Sequence, residues 1–214
     1  MGNTLTLGVD SFFRTAQHLI DEGQFGAPII LTPFNYRFGR IGGVELNSNY
    51  ARGDFSAYGN LSFETAKGKD VESSQFNFSA DDLAYIAQNY IHLDHEQPVS
   101  ASGGVAYIWL GTRAAINMIF GTGLRQSTPW LVPVPGFPAP GISVPNGDHT
   151  PSYTVWNLGL SHAFHDTFGP LTLRFGVVNV FDKMYEIRSG TGIGVFAPQY
   201  GARRGLFGGI SQDF

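Results

Sequence analysis

At 214 residues, with a formal net charge of −4 and only 14% charged side chains, the chain offers no basic footprint for a nucleic acid. It has no cysteine, which excludes a disulfide framework and a thiolate metal site. A mean hydropathy of −0.04 and the lack of any apolar run of about 18 residues exclude a helical membrane protein, although aromatics reach 14% and glycines number 28.

The start, MGNTLTLGVDSFF, has neither a positive region nor an apolar core, so no signal peptide is expected. From Thr4 onward, apolar and polar residues alternate with the period of a strand. Over 4–15, Leu5, Leu7 and Val9 share one face, opposite Thr4, Thr6, Gly8, Asp10 and Arg14. Val44, Leu46 and Tyr50 then oppose Glu45, Asn47 and Asn49. Phe55, Ala57, Leu61 and Phe63 oppose Ser56, Asn60, Ser62 and Glu64. The pattern returns with Ala101, Val105, Tyr107 and Trp109, and then with Ile116, Met118, Phe120 and Leu124. It continues through Trp156, Leu158, Leu160 and Phe164, and through Leu171, Leu173, Phe175 and Val177. Leu206, Ile210 and Phe214 close it.

These are about eight strands of roughly ten residues or more, longer than the five or six usual in globular proteins. Tight turns fall at 52–54, 110–112 and 165–170, and long connections at 18–36, 68–98, 126–151 and 183–202. Tight turns at one end and large loops at the other predict a transmembrane β-barrel wall, with the apolar face toward lipid and Phe55, Trp109, Phe164 and Phe214 in interfacial girdles. A soluble β-sandwich or lipocalin-like barrel also alternates, but with its apolar face inward.

The loops carry the candidate sites. Ser79 followed by Asp81 and Asp82, with Leu83, Ile86 and Ala87 at helical spacing, predicts a short loop helix. His92, Asp94 and His95 have the side chains of a metal site, though such clusters are mostly solvated loop residues. The proline-rich 130–149 stretch cannot be a strand interior and reads as a stiff loop carrying Trp130, Leu131, Val132 and Phe137. The glycine run at 190–194 precedes a strand and not a helix, so it reads as a loop and not as a phosphate cradle. Arg203 and Arg204 either attract an anion or pair with Asp182 or Glu186. His162, His165 and Asp166 near a turn suit an interface better than catalysis, so no enzyme and no cofactor is expected.

YTVWNLGLSHAF, LTLRFGVVNVFDKMYE and GIGVFAPQYGARRGLFGGISQDF together resemble the end of a TonB-dependent outer-membrane receptor. Asn179, Phe181, Asp182 and Tyr185 are similar to that family's penultimate-strand motif, and Phe214 to its terminal membrane-insertion signal, with Gln212 an imperfect element of that signal. The resemblance extends over residues 1–214 as the C-terminal part of the barrel, with no plug domain and no TonB box. It implies the outer membrane, contact with its lipid and its assembly machinery, and TonB engagement only through a plug. It also implies a role in uptake of siderophores or other scarce nutrients that this chain would not perform alone.

A strand edge in lipid leaves backbone groups unsatisfied. Eight strands therefore form either an open arc completed by other strands or a small barrel closed by pairing 4–15 with 204–214. The second arrangement would give a stand-alone structural or adhesive barrel.

Overall fold

Strands whose apolar residues recur every second position can bury one face only by joining edge to edge. They do so in the computed structural model, which describes residues 4–25, 30–166, 169–191, 193 and 198–212. The strands are β1 (Thr4–Phe25), β2 (Ile30–Arg52), β3 (Phe55–Val71), β4 (Ile91–His92), β5 (Val99–Trp109), β6 (Thr112–Gly121) and β7 (Arg125–Gln126). They continue with β8 (Asp148–His149), β9 (Tyr153–Asp166), β10 (Gly169–Val178), β11 (Glu186–Arg188), β12 (Gln199–Tyr200) and β13 (Gly205–Gln212). An α-helix, α1, covers Ala80–Gln88, preceded by a short 3-10 turn at Gln75–Asn77.

The large sheet runs β1-β2-β3-β5-β6-β9-β10-β13, all antiparallel, an up-and-down meander in which each long strand pairs with the next. Two-stranded ribbons β7-β8 and β11-β12 lie in the long connections, and β4 extends the sheet beside β3. Among the described residues β1 and β13 do not pair, so the sheet is the open arc and not the small closed barrel.

The register places the predicted apolar residues in continuous rows. Val9 pairs with Leu46 and Leu46 with Leu61; Val105 pairs with Ile116 and Ile116 with Leu158. Phe175 pairs with Leu160, and Leu173 with Ile210. Leu7, Val9 and Ile210 on this face are 70% or more exposed, and among the described residues no second sheet covers them. A sandwich with its apolar face inward is thereby overturned. Rows of exposed leucine, valine and isoleucine suit a lipid environment. Phe55, Trp109 and Phe164 stand at the tight-turn end, and Phe214 lies outside the described residues.

The opposite face is polar and internally hydrogen-bonded. Tyr58 donates to Asn117 (3.2 Å), Asn60 to Ser102 (3.1 Å) and Arg174 to Ser211 (2.9 Å). Thr4, Thr6, Asn49, Ser56 and Arg113 line a groove of about 330 Å³ there. At the tight-turn end Leu110 and Gly111 both have positive φ, 45° and 76°, as a two-residue hairpin turn requires.

The connection expected over 18–36 is largely strand. β1 and β2 stay paired from Leu19–Tyr36 out to Phe25–Ile30. The reason is tertiary. His18 and Asp70 take positive φ (52° and 64°), and beyond them Leu19 and Tyr36 lean across Gly39 and Gly68. A Cβ on Gly39 would stand 2.5 Å from Leu19, and one on Gly68 2.5 Å from the Tyr36 ring. Phe34, Tyr36, Val71, Ile86, Ile91 and Ile193 make the buried apolar cluster at this end, with Leu19, Phe78 and Leu83 packed around it. The helix α1 forms as expected. Ser79 accepts from the Asp82 N–H (3.1 Å), Asp82 accepts in return from the Ser79 N–H (3.3 Å), and Ile86 is buried.

The two faces make opposite predictions for one substitution. Leu46→Arg lowers stability in a lipid bilayer by about 2–4 kcal/mol, whereas Ser62→Arg, on the polar face, costs under about 1 kcal/mol. Denaturant titration of bilayer-embedded protein checks the contrast.

Candidate functional site

The long-loop end holds a buried polar network unlike anything else in the described residues. It assembles because the extended β1-β2-β3 hairpins carry Asp21 and Tyr36 up to the 89–98 loop. Residues 122–150, 186–191 and 193 reach the same place from the other side.

Glu96, 2% exposed, is one centre. It accepts from the Ala66 N–H (2.7 Å), from Arg125 Nη2 (2.5 Å) and Nε (3.2 Å), and pairs with His92 Nδ1 (2.7 Å). Burial opposes its ionisation, but the hydrogen bonds from His92, Arg125 and Ala66 prevail and hold its pKa below the usual range. Asn146, fully buried, ties two loops to this centre by donating to the His92 carbonyl (2.9 Å) and accepting from the Ile193 N–H (3.1 Å).

Asp94, 3% exposed, is the second centre. It contacts His95 Nδ1 and pairs with Arg188 Nη1 at 3.3 Å, and Asp21 lies 3.8 Å from the same His95 nitrogen. Arg188 Nη2 reaches the other ring nitrogen of His95. Asp21 and then Asp94 push the His95 pKa up to about 9. Burial, with help from Asp21, pushes Asp94 up, and burial with both carboxylates pushes Tyr36 well up.

The expected trio of His92, Asp94 and His95 is thus divided. His92 turns to Glu96, while Asp94 and His95 meet Asp21, which lies far away in sequence. Ligand atoms of Asp21, Asp94 and His95 lie within 4.8 Å of one another, a spacing that suits a cation. The Arg188 guanidinium, however, already supplies positive charge to that group. The chemistry on view is that of an ion-pair network holding loops together. Asp21 was missed because no local signal joins it to residue 94. The only hint was an acid within a segment read as loop.

The 179–185 motif forms a second tight unit. Asn179, 2% exposed with φ 50°, donates to the carbonyls of Lys183 (2.8 Å) and Ala202 (2.9 Å) and accepts from the Lys183 N–H (2.8 Å). Its own N–H donates to Asn157 (2.9 Å). Asp182 accepts from Arg203 Nε (2.7 Å) and from the Arg204 N–H (3.0 Å), so Arg203 is an ion-pair partner and not a free anion receptor. Arg203 and the Arg204 backbone hold the Asp182 carboxyl well below the usual range. Tyr185 stacks on Tyr153 (4.6 Å, 25°) over Gly201, where a Cβ would stand 1.9 Å from its ring. Phe181 is 74% exposed and shares an apolar groove with Ile116, Trp156, Leu158 and Val180. Three of the four motif residues therefore pin the loop between β10 and β13, and the fourth faces outward.

In the proline-rich stretch, Val132 and Ile142 bond to each other (2.7 and 3.1 Å) and Phe137 packs on Tyr85 of α1 (6.3 Å). Trp130 and Leu131 are exposed. The glycine run at 190–194 falls partly outside the described residues. His162 bonds Thr112 (2.7 Å) and packs on Phe164 (4.2 Å), an interfacial setting.

An open antiparallel arc with one apolar face, tight turns at one end and packed loops at the other defines part of the wall of an outer-membrane barrel. The family model for TonB dependent receptor-like beta-barrels matches residues 1–180, and the chain belongs to that family, one of outer-membrane transporters and not of enzymes. The iron transporter FrpB of Neisseria meningitidis (F3-3 variant) is similar at TM-score 0.61 and 15% identity, over 97% of this chain and 29% of that one. The copper transporter OprC is similar at 0.62 and 18%, over 100% and 29%. The outer-membrane transporter YddB of Escherichia coli is similar at 0.59 and 15%, over 100% and 31%. The chain therefore spans about three-tenths of the length of these structures. No curated protein matches the sequence.

Two outcomes follow for the loop network. His95 is raised above its ordinary 6.5, so its stabilising contribution is complete below that pH and is lost as pH climbs through about 9. Amide exchange over 91–96 accelerates across that interval by the equivalent of about 1 kcal/mol, after allowance for the half-exposed ring, and His95→Gln flattens the profile. Asn179→Ala strands buried carbonyls of two segments and costs about 3 kcal/mol in thermal or denaturant unfolding. Asp182→Asn, on an exposed pair, costs far less.

Proposed function

We propose that residues 1–214 form the C-terminal portion of the barrel of an uptake receptor for a scarce nutrient. The observation that carries this is the pair of bare edges. β1 and β13 are the outer two of eight strands with one apolar face, and backbone groups along such edges need strand partners in lipid. The remaining strands of a larger barrel supply those partners. A plug within the completed lumen would rest on the polar face around Thr6, Asn49, Ser56 and Arg113, and TonB would act through that plug. Lipid covers the apolar face, and the assembly machinery reads the Phe214 end. The packed loops over 89–98, 125–150, 179–191 and 198–204 stand at the mouth, where a substrate first arrives.

A stand-alone structural or adhesive barrel is the competing reading, and the open strand order weighs against it.

In a receptor-deficient strain limited for ferric siderophore, cobalamin or copper, residues 1–214 alone restore no uptake. Uptake returns when the strands and plug that complete the barrel are supplied with it. Uptake by the 214-residue chain alone would overturn the proposal.

A further inference from the structure

Among the described residues, three cations on the apolar side of the sheet have no carboxylate partner. Arg40 of β2 and Lys67 of β3 are direct cross-strand partners, and Lys69 pairs with Phe38 next to them. Their positions follow the row Leu46–Leu61, Val44–Phe63, Gly42–Thr65, Arg40–Lys67, so they lie on the lipid-facing side. At ~3.4 Å per residue, Arg40 and Lys67 sit about 7 Å beyond the Gly42–Thr65 pair and Lys69 about 14 Å beyond it, toward the long-loop end. Tyr90 lies among them, with the Arg40 guanidinium 4.3 Å and Lys69 Nζ 5.9 Å from its ring centre.

Among the described residues no carboxylate lies within ion-pairing distance of any of the three. Elsewhere among the described residues Arg37, Arg125, Arg188, Arg203 and Arg204 each have one, while Arg14, Arg52, Arg113, Arg174 and Lys183 do not; what sets this group apart is that three cations are gathered on one face, two of them directly opposite each other. Like charges placed directly opposite on a sheet destabilise it. Two of the chain's three lysines are nevertheless spent here, one facing an arginine. An anion from outside the sheet would relieve that repulsion, and the cluster stands on the apolar face at its long-loop end, the height at which headgroups would meet it.

We propose that Arg40, Lys67 and Lys69, with Tyr90, form a binding site for the phosphate of an anionic outer-leaflet lipid, seated on the outer wall and distinct from the substrate mouth. Arg40 gives a planar fork for phosphate oxygens and the lysines add point charge. Phe13, 75% exposed and paired with Gly42 one step nearer the apolar rows, offers an apolar contact for the lipid below the headgroup. The proposal rests on the apolar face meeting lipid.

The test uses the complete receptor, extracted from outer membranes in mild detergent and delipidated. Protease protection and heat-modifiable migration first establish membrane insertion. A protein that is not inserted overturns the membrane orientation and this site with it. Binding is then measured to lipid A, to enzymatically dephosphorylated lipid A and to inorganic phosphate. Lipid A binds, the dephosphorylated form binds far less, and millimolar phosphate does not displace it. Arg40→Gln/Lys67→Gln/Lys69→Gln weakens lipid A binding by on the order of a hundredfold, and Lys67→Gln alone by about fivefold. Lys183→Gln, elsewhere at the same end, leaves it unchanged. Without lipid A, the triple variant melts above the parent, because the repulsion is gone. An inserted protein that ignores the phosphate groups, or a triple variant that binds as the parent does, overturns the site. Displacement by free phosphate overturns the lipid as its occupant.

Discussion

The wall of this structure answers to the cost of a backbone N–H or C=O left without a partner in a medium that has no water. In the long antiparallel meander each interior strand satisfies both its neighbours, and the hydrogen-bond ladder, not a packed core, holds the wall together. Large apolar side chains remain exposed across one face because the solvent there is hydrocarbon. The ladder ends at β1 and β13, and there the sheet depends on strands beyond it. Membership of the TonB-dependent receptor family and the three-tenths coverage of its solved members agree with a wall that is one arc of a larger cylinder.

Conventional packing occurs outside the apolar rows. At the long-loop end water returns, and the chain builds a small core from Phe34, Tyr36, Val71, Ile86 and Ile91, capped by ionic centres on Glu96 and Asp94. Glycine makes the first of these contacts possible: Tyr36 occupies the space a side chain on Gly68 would fill. Asn146 and Asn179 play equivalent roles in two different loops, each using both ends of one amide to join segments remote in sequence. Loops pinned in this way present a defined mouth. The stacked Tyr153–Tyr185 pair and the Asp182–Arg203 pair fix the last of them to the rim.

The eight strands and the face each residue occupies were legible because the alternation is local: Leu5, Leu7 and Val9 announce themselves without reference to a partner. Helix α1 was legible for the same reason, since Ser79, Asp82 and Ile86 lie within a few residues of each other. The reach of the first hairpin was not. Leu19 and Tyr36 lie in segments with no clean alternation, and they stay in strand because β3 and α1 pack against them. Nor was the grouping of Asp21 with Asp94 and His95, or the desertion of His92 to Glu96, since both depend on which loops meet above the sheet.

The sequence by itself determined the strands, their two faces, the asymmetry of the connections and the loop helix, all of which follow from periods of two and 3.6 residues and from capping within one turn. Only the tertiary structure decided that the sheet stays open, that its first hairpins rise well above the apolar rows, and which charges share a site. Those outcomes come from contacts between segments tens of residues apart, where one positive φ at His18 or Asp70 redirects a strand and no local pattern records what it will meet.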